Sequence, residues 1–360
     1  HIIVSTKSGT GLAEAYFQNL GKPMLAHLGQ HEGTSYTVHR TESEHSITEL
    51  VASVILPRAR KGVNQAILLM SGDGGVVDFV NALFARGTEG EVTTEGFGST
   101  YVKPNICLLP VGTGNALAQS IGITRDHTLG LSYMLRGVHR NLPVFRATFS
   151  PGARLVTAFG KREVPLAADE HKIGTLWGAV VCSWGFHASL VADSDTEEYR
   201  QHGAERFKMA AKEALFPADG SEPHRYQGKI STASKRNLVW ETLDRQEHTY
   251  VLATLVSNLE EGFTISPKSK PVDGKLRLVH FGPMDGTKIM EIMGLAYQGG
   301  KHVDDESVDY EEIEGLKIEV EGREDDSRWR RICVDGKIVR LESDGWVELR
   351  KEPMDVVDLV

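Results

Sequence analysis

Apolar and polar positions follow two different rhythms along this chain. In the first part, short unbroken apolar runs end in small or glycine-rich turns, and apolar residues then recur at helical spacing. His1-Ile2-Ile3-Val4 reads as a strand, Ser5-Thr6-Lys7-Ser8-Gly9-Thr10-Gly11 as its turn, and Leu12 to about Leu20 as a helix. Tyr36 to Arg40 reads as a second strand ending at Thr41, with a helix through Ile47, Leu50, Val51 and Val54. The run from Ala66 to Met70 feeds Ser71-Gly72-Asp73-Gly74-Gly75, after which Val76, Val77, Val80, Leu83 and Phe84 share a helical face. Asn105 to Pro110 repeats the plan, with Gly112 and Gly114 shaping the turn before a helix of small and apolar residues. Repeated units of this kind predict an open, mostly parallel α/β sheet with helices on both faces. Ligands of such sheets sit beyond the carboxyl ends of the strands, so the four turns are expected to meet at one site.

From about Leu142 the period becomes two: Thr175 to Cys182, Gly228 to Ala233, Tyr250 to Ser257, Lys275 to Phe281, Leu316 to Val320, Arg331 to Val339 and Trp346 to Leu349. Many short strands separated by turn residues predict an antiparallel β-sandwich. Two helices interrupt it, one from Glu197 to about Leu215 and one from Thr287 to Tyr297. The acidic run from His302 to Glu312 reads as a solvated loop. The expected division is therefore an α/β domain over 1–142 and a β-sandwich domain over 143–360.

Composition narrows the function classes. A formal net charge of −9 over 360 residues argues against a general nucleic-acid binder. Cys107, Cys182 and Cys333 lie far apart in apolar runs, without metal or redox spacing, and read as reduced core residues of an intracellular protein. No apolar run approaches the length that spans a bilayer, and no secretory signal opens the chain. His1 is not an initiator, which leaves room for an upstream targeting or regulatory segment.

A strand, a glycine turn and a helix form a phosphate-binding geometry, because free N–H groups and the helix dipole both favour an anion. Asp73 sits in that turn. A carboxylate repels phosphate, so its place there points to holding a metal ion or to taking a proton from an attacking hydroxyl; a solvated Asp-Gly turn is the plainer alternative. The first turn adds hydroxyls, glycines and Lys7, which suit a phosphate tail, although the Walker A spacing is absent.

Ser71-Gly72-Asp73-Gly74 followed by Asn81, then Pro110-Val111-Gly112-Thr113-Gly114-Asn115-Ala116-Leu117-Ala118, resembles the diacylglycerol kinase catalytic-domain family of lipid kinases. Ser183-Trp184-Gly185-Phe186, Tyr199-Arg200, Gly203-Ala204-Glu205-Arg206-Phe207, Gly262 to Pro267 and Asp273-Gly274-Lys275-Leu276 resemble the sphingosine kinase branch. The resemblance implies an ATP-NAD kinase-like first domain, a lipid-binding second domain, and ATP with Mg²⁺. It makes Asp73 the general base for a lipid hydroxyl attacking the γ-phosphate. Ser5, Lys7, Ser8, Gly9, Thr41, Ser71, Gly72, Gly74, Gly112, Thr113, Gly114 and Asn115 become the nucleotide cradle. Arg200 and Arg206 reach the phosphates from the second domain, and Asp335 joins them.

Three departures from the family stand out. Its Asn-Pro is Ser5-Thr6 here, its Asp-Gly-Glu is Asp335-Gly336-Lys337, and the acid that meets a sphingoid headgroup is Ser189. Asp193 and Asp195, in a slightly lengthened segment, are the candidates to replace that acid. The expected activity is phosphorylation of the primary hydroxyl of a sphingoid base or related lipid. A ceramide or diacylglycerol kinase is the alternative that Ser189 favours, and a catalytically impaired nucleotide-binding regulatory protein the one that Lys337 and Ser5-Thr6 favour. An NAD kinase would share the glycine turn but leaves the Trp184 and Arg206 motifs unexplained. Ile289, Met290, Ile292, Met293 and Leu295 read as core, or as the wall of an acyl channel. The lipid implies a cytoplasmic protein peripheral to intracellular membranes; oligomeric state stays open.

Overall fold

In the computed structural model, four parallel strands, β1 (Ile2–Val4), β2 (Val38–Arg40), β3 (Ala66–Ser71) and β4 (Asn105–Pro110), lie in the order β2-β1-β3-β4. The residues described are 1–9, 11–85, 97, 99–125, 128–166, 173–203, 205–234 and 239–360, so Thr10 and Ala204 of the motifs above fall outside them. The chain divides into two units, His1–Pro143 with Pro353–Val360, and Val144–Glu352.

Both faces of the first unit's sheet are buried, as unbroken apolar strands require. Ile2, Val4, Leu68, Met70, Cys107 and Leu109 form one face and pack with Ala13, Tyr16 and Phe17 and with Leu131 and Met134. Ile3, Ile67, Leu69, Ile106 and Leu108, which alternate with them, are buried as well. Helix Asp73–Phe84 packs against β3 and against helix Ser46–Leu50. The helical segments 13–27 and 46–60 each widen into a π-turn, at Phe17–Gly21 and Val51–Ile55, just ahead of Pro23 and Pro57. Proline lacks the N–H and crowds the carbonyl four residues back, which accounts for the slip in hydrogen-bond register.

The C-terminal residues correct the expected division. Strand Asp358–Leu359 adds to this first sheet, parallel to β4 and antiparallel to Arg140–Asn141. Val356, Val357 and Leu359 are buried there, and Lys103 bridges Asp358 at 2.6 Å. The sequence shows no long-range partner for so short a segment, so it reads simply as the tail of what precedes it.

Among the described residues the second unit holds two large antiparallel sheets, one of eight strands and one of six, beside two two-stranded pairs. They share a core: Phe145, Phe149, Ile230, Leu316 and Val347 from the smaller sheet meet Trp184, Val251, Leu278, Ile332 and Val339 from the larger. Four local expectations change. Thr175 to Cys182 divides into Gly174–Gly178 and Val181–Gly185. Arg331 to Val339 is a hairpin of Arg331–Val334 and Lys337–Arg340, because Asp335 (φ 47°) and Gly336 (φ 87°) form a two-residue left-handed turn. The helix expected from Glu197 to Leu215 breaks into Glu197–Arg200 and Glu205–Leu215, with Gly203 at φ 56° between them. The acidic run contains an edge strand, Asp309–Ile313, paired to Leu276–Phe281, and His302 within it is buried. Charges on an edge strand keep it from pairing further. Helix Gly286–Ala296 forms as expected, with Ile289 and Ile292 fully buried and Met290 exposed.

Candidate active site

The strand order reverses direction between β1 and β3, and the loops following these strands touch there. The Gly72 N–H donates to Ser8 Oγ at 3.1 Å. A Cβ on Gly9 (φ 55°) would stand 2.5 Å from the Val111 carbonyl oxygen, so the first loop also lies against the fourth. The third and fourth loops are closer still: a Cβ on Gly112 would fall 2.5 Å from the Gly72 α-carbon. The β2 loop joins through Thr41, whose Oγ1 accepts from the Thr6 N–H at 3.1 Å while Thr6 Oγ1 donates to the Thr41 carbonyl at 2.7 Å. All four turns therefore meet at the carboxyl edge of the sheet, as the repeated unit predicts.

Asp73 opens helix Asp73–Phe84, yet its carboxylate is bound to a different helix. Oδ2 accepts from the Ala116 N–H at 2.7 Å and Oδ1 from the Leu117 N–H at 3.0 Å, the first turn of helix Ala116–Ile121. Asn115, at φ 52°, closes the fourth loop on itself: its Oδ1 accepts from the Gly112 N–H at 2.9 Å and its Nδ2 donates to the Gly112 carbonyl at 2.8 Å. Burial pushes the Asp73 carboxyl above the usual carboxylate range, and the Leu117 and Ala116 amides only partly oppose it. A base poised in this way has a larger appetite for a proton than a solvated aspartate has, and each oxygen keeps a lone pair for it.

Several features of the cluster serve no internal contact. Among the described residues, the backbone N–H groups of Gly74, Thr113 and Gly114 have no acceptor. Gly74 is exposed, and a Cβ there would have nothing within 4 Å, so the protein's own packing does not demand glycine. Lys7 is likewise exposed. Open space beside free amide donors from two loops fits a polyphosphate. Among the described residues no group of three or more His, Cys, Asp or Glu is placed to hold a metal. A Mg²⁺ ion would depend mainly on nucleotide phosphates and water, which is its common habit.

The second unit's candidates are already engaged with one another. Arg200 Nε and Arg206 Nη1 both meet Asp195 Oδ1, at 2.8 and 3.2 Å. Asp193 holds Arg328 and Arg331, each at 2.8 Å. Ser189 is buried and accepts from the Tyr226 hydroxyl at 2.7 Å. Asp335 accepts from the backbone N–H groups of Ala179, Val180 and Val181 at 2.6, 3.1 and 2.6 Å, so its carboxylate holds the turn between two strands. Sequence reasoning overlooked Thr6 and Tyr226 as partners, since neither contact has a local signal. The pairing of Arg200 and Arg206 with Asp195 was more accessible, because opposite charges lay five and eleven residues apart.

Residues 1–147 match the diacylglycerol kinase catalytic domain. The chain is 24% identical to human (Homo sapiens) sphingosine kinase 1 over 332 residues, covering 84% of this chain and 77% of that protein. It is 26% identical to the Rattus norvegicus sphingosine kinase 1 over 333 residues, with the same coverage. The crystal structure of a diacylglycerol kinase from Bacillus anthracis str. Sterne superposes with a TM-score of 0.55 at 12% identity, covering 100% of this chain and 95% of that one. Another solved chain from Bacillus anthracis str. Sterne reaches 0.62 at 13% identity with the same coverage.

Proposed function

We propose that this chain, whose residues 1–147 belong to the diacylglycerol kinase catalytic domain family, is an ATP-dependent kinase acting on the primary hydroxyl of a sphingoid base or related lipid. The observation that carries this reading is Asp73. It is a half-buried carboxylate with a raised pKa, fixed on two amides beside free N–H donors in the cluster where four strand-end loops meet. The free N–H groups of Gly74, Thr113 and Gly114, with Lys7, bind and orient the phosphates. Asp73 accepts the proton of the lipid hydroxyl as that oxygen bonds to the γ-phosphorus and the bond from the γ-phosphorus to the bridging oxygen breaks, leaving ADP. When bound with the nucleotide, Mg²⁺ would supply electrostatic stabilisation of the charge on the transferring group.

The similarity to sphingosine kinases over 84% of the chain supports a sphingoid base as the substrate class. A lipid substrate places the enzyme at a membrane surface; among the described residues no helix is long and apolar enough to cross a membrane.

A second reading, a ceramide or diacylglycerol kinase, is favoured by the headgroup segment. Ser189 is a neutral hydroxyl bound to Tyr226, and both neighbouring carboxylates are neutralised by arginines. A buried ammonium needs a free counter-charge, whereas a neutral head does not. Radiolabelled ATP offered with sphingosine, ceramide, diacylglycerol and NAD decides between them. Label in sphingosine supports the first reading, label in a neutral lipid the second, and label only in NAD removes both.

A further inference from the structure

The six-stranded sheet of the second unit turns one face to the core through Phe145, Phe149, Ile230, Leu316 and Val347, and the residues that alternate with these form its other face. Register sets the alternate residues in rows across the strands. One row runs Trp240, Ala233, Gly315, Arg350, Arg146 and Trp177. Arg350 and Arg146 are therefore direct partners on neighbouring antiparallel strands. Like charges so placed, with about 5 Å between β-carbons, cost stability. The face as a whole carries Lys229, Lys317, Arg350 and Arg146 against Glu319 and Glu348, in a chain whose net charge is −9.

The protein does not relieve this pair. Glu348 engages Arg350 through Nε at 2.6 Å, and the Trp240 ring covers the guanidinium, its centroid 4.9 Å from Cζ. Held by its edge and one face, Arg350 keeps terminal nitrogens that have no partner among the described residues. Arg146 is exposed and has neither a hydrogen bond nor an ion pair among those residues. The lack of a side chain at Gly315 makes room for Trp240, since a Cβ there would stand 2.9 Å from Cη2 of the indole. Trp177 ends the row, buried and donating from Nε1 to Glu352 at 3.2 Å. Two adjacent guanidinium groups with free terminal N–H groups, one of them already ordered, suit a tetrahedral dianion whose oxygens can be shared between two forks.

We infer that this row is a binding site for a soluble phosphate monoester, with Arg146 and Arg350 sharing its oxygens. The site lies wholly on the second unit and does not depend on the nucleotide cluster. A membrane lipid with the same headgroup fits less well, because Trp177 is buried and Trp240 is laid on Arg350 and Gly315, which leaves neither indole to enter a bilayer. The repulsion gives the test a sign that a structural arginine would not show. With the whole chain in low-salt buffer free of phosphate, Arg146→Gln should raise Tm by about 1–3 °C. Inorganic phosphate, at an ionic strength held constant with potassium chloride, should then raise Tm in the parent, and Arg146→Gln and Arg350→Gln should each lose about half or more of that rise. O-phosphoserine should reproduce the difference, and vesicles of phosphatidylcholine with phosphatidic acid should bind parent and variants alike. A Tm lowered by Arg146→Gln without phosphate, or a phosphate response equal in the parent and both variants, overturns the site. So does a rise of the same size with potassium chloride alone, which would be charge screening. Vesicle binding that falls in the variants, without a response to O-phosphoserine, overturns the soluble source and makes the face a membrane contact.

Discussion

At the scale of single residues, two aspartates in Asp-Gly sequences look alike in the chain and do different things. Asp73 binds two amides across more than forty residues and is half-buried; Asp335 is buried and binds three amides. Asp73→Asn is expected to reduce phosphoryl transfer about a hundredfold or more, since an amide cannot accept the proton. It is not a silent isostere, however. The new N–H₂ must face one of the two donors from Ala116 and Leu117, so Tm should fall as well, by roughly 1–3 kcal/mol of stability. Turnover assays and urea unfolding on the same preparation separate the two effects; near-parental turnover would remove Asp73 from the chemistry. Asp335→Ala should do the reverse. Three buried N–H groups lose their acceptor, stability falls by on the order of 3 kcal/mol or more in urea unfolding, and ATP affinity measured on the remaining folded protein stays within a few fold. A large loss of ATP affinity without destabilisation would return Asp335 to the nucleotide site.

At the scale of elements, the strand, turn and helix units of the first unit were legible because buried parallel strands write themselves as unbroken apolar runs ending in glycine. That the loops converge was also legible. How they are tied was not: the bonds of Asp73 to Ala116 and of Gly72 to Ser8 join residues far apart in the chain, and no periodicity encodes them. Some misses had signals in plain view. Asp335-Gly336 is a hairpin dipeptide inside an apolar run, and Gly203 marks the break in the helix after Arg200. Both were absorbed into motifs and not weighed as turns. The acidic strand Asp309–Ile313 was hidden for another reason, since its charges belong to an edge and its pairing partner lies some thirty residues upstream. The close approach of the loops yields a prediction of its own. In Gly112→Ala the methyl group would meet the Gly72 α-carbon at 2.5 Å and Asn115 Oδ1 at 2.8 Å, so the third and fourth loops must separate. The far-ultraviolet circular dichroism should be unchanged while the ATP-induced rise in Tm disappears. A normal rise would show that the cradle tolerates separation.

At the scale of the whole molecule, stability should depend on pH through histidines that the second unit buries uncharged. Burial holds His248 and His280 down to about 4, with the Arg245 charge adding to the effect at both; Asp309 opposes it at His280. Both rings are at most 3% exposed. Their folded pKa lies below the ordinary 6.5, so the stabilisation is complete above 6.5 and is lost as pH falls towards 4. Unfolding at pH 7 and pH 5 should differ by about 1–2 kcal/mol per histidine, and His248→Phe should remove its own share of that difference. A profile that is level across this window would contradict the buried neutral state. The return of residues 353–360 to the first sheet has a consequence for biosynthesis. The second unit is an unbroken stretch and can complete its fold while later residues are still being added. The first unit is synthesised earlier yet must wait, with β4 lacking its parallel neighbour Asp358–Leu359, until those residues have left the ribosome. The first unit is thus begun first and finished last, and a nascent chain stalled before residue 353 would expose an open strand edge to chaperones or to other chains.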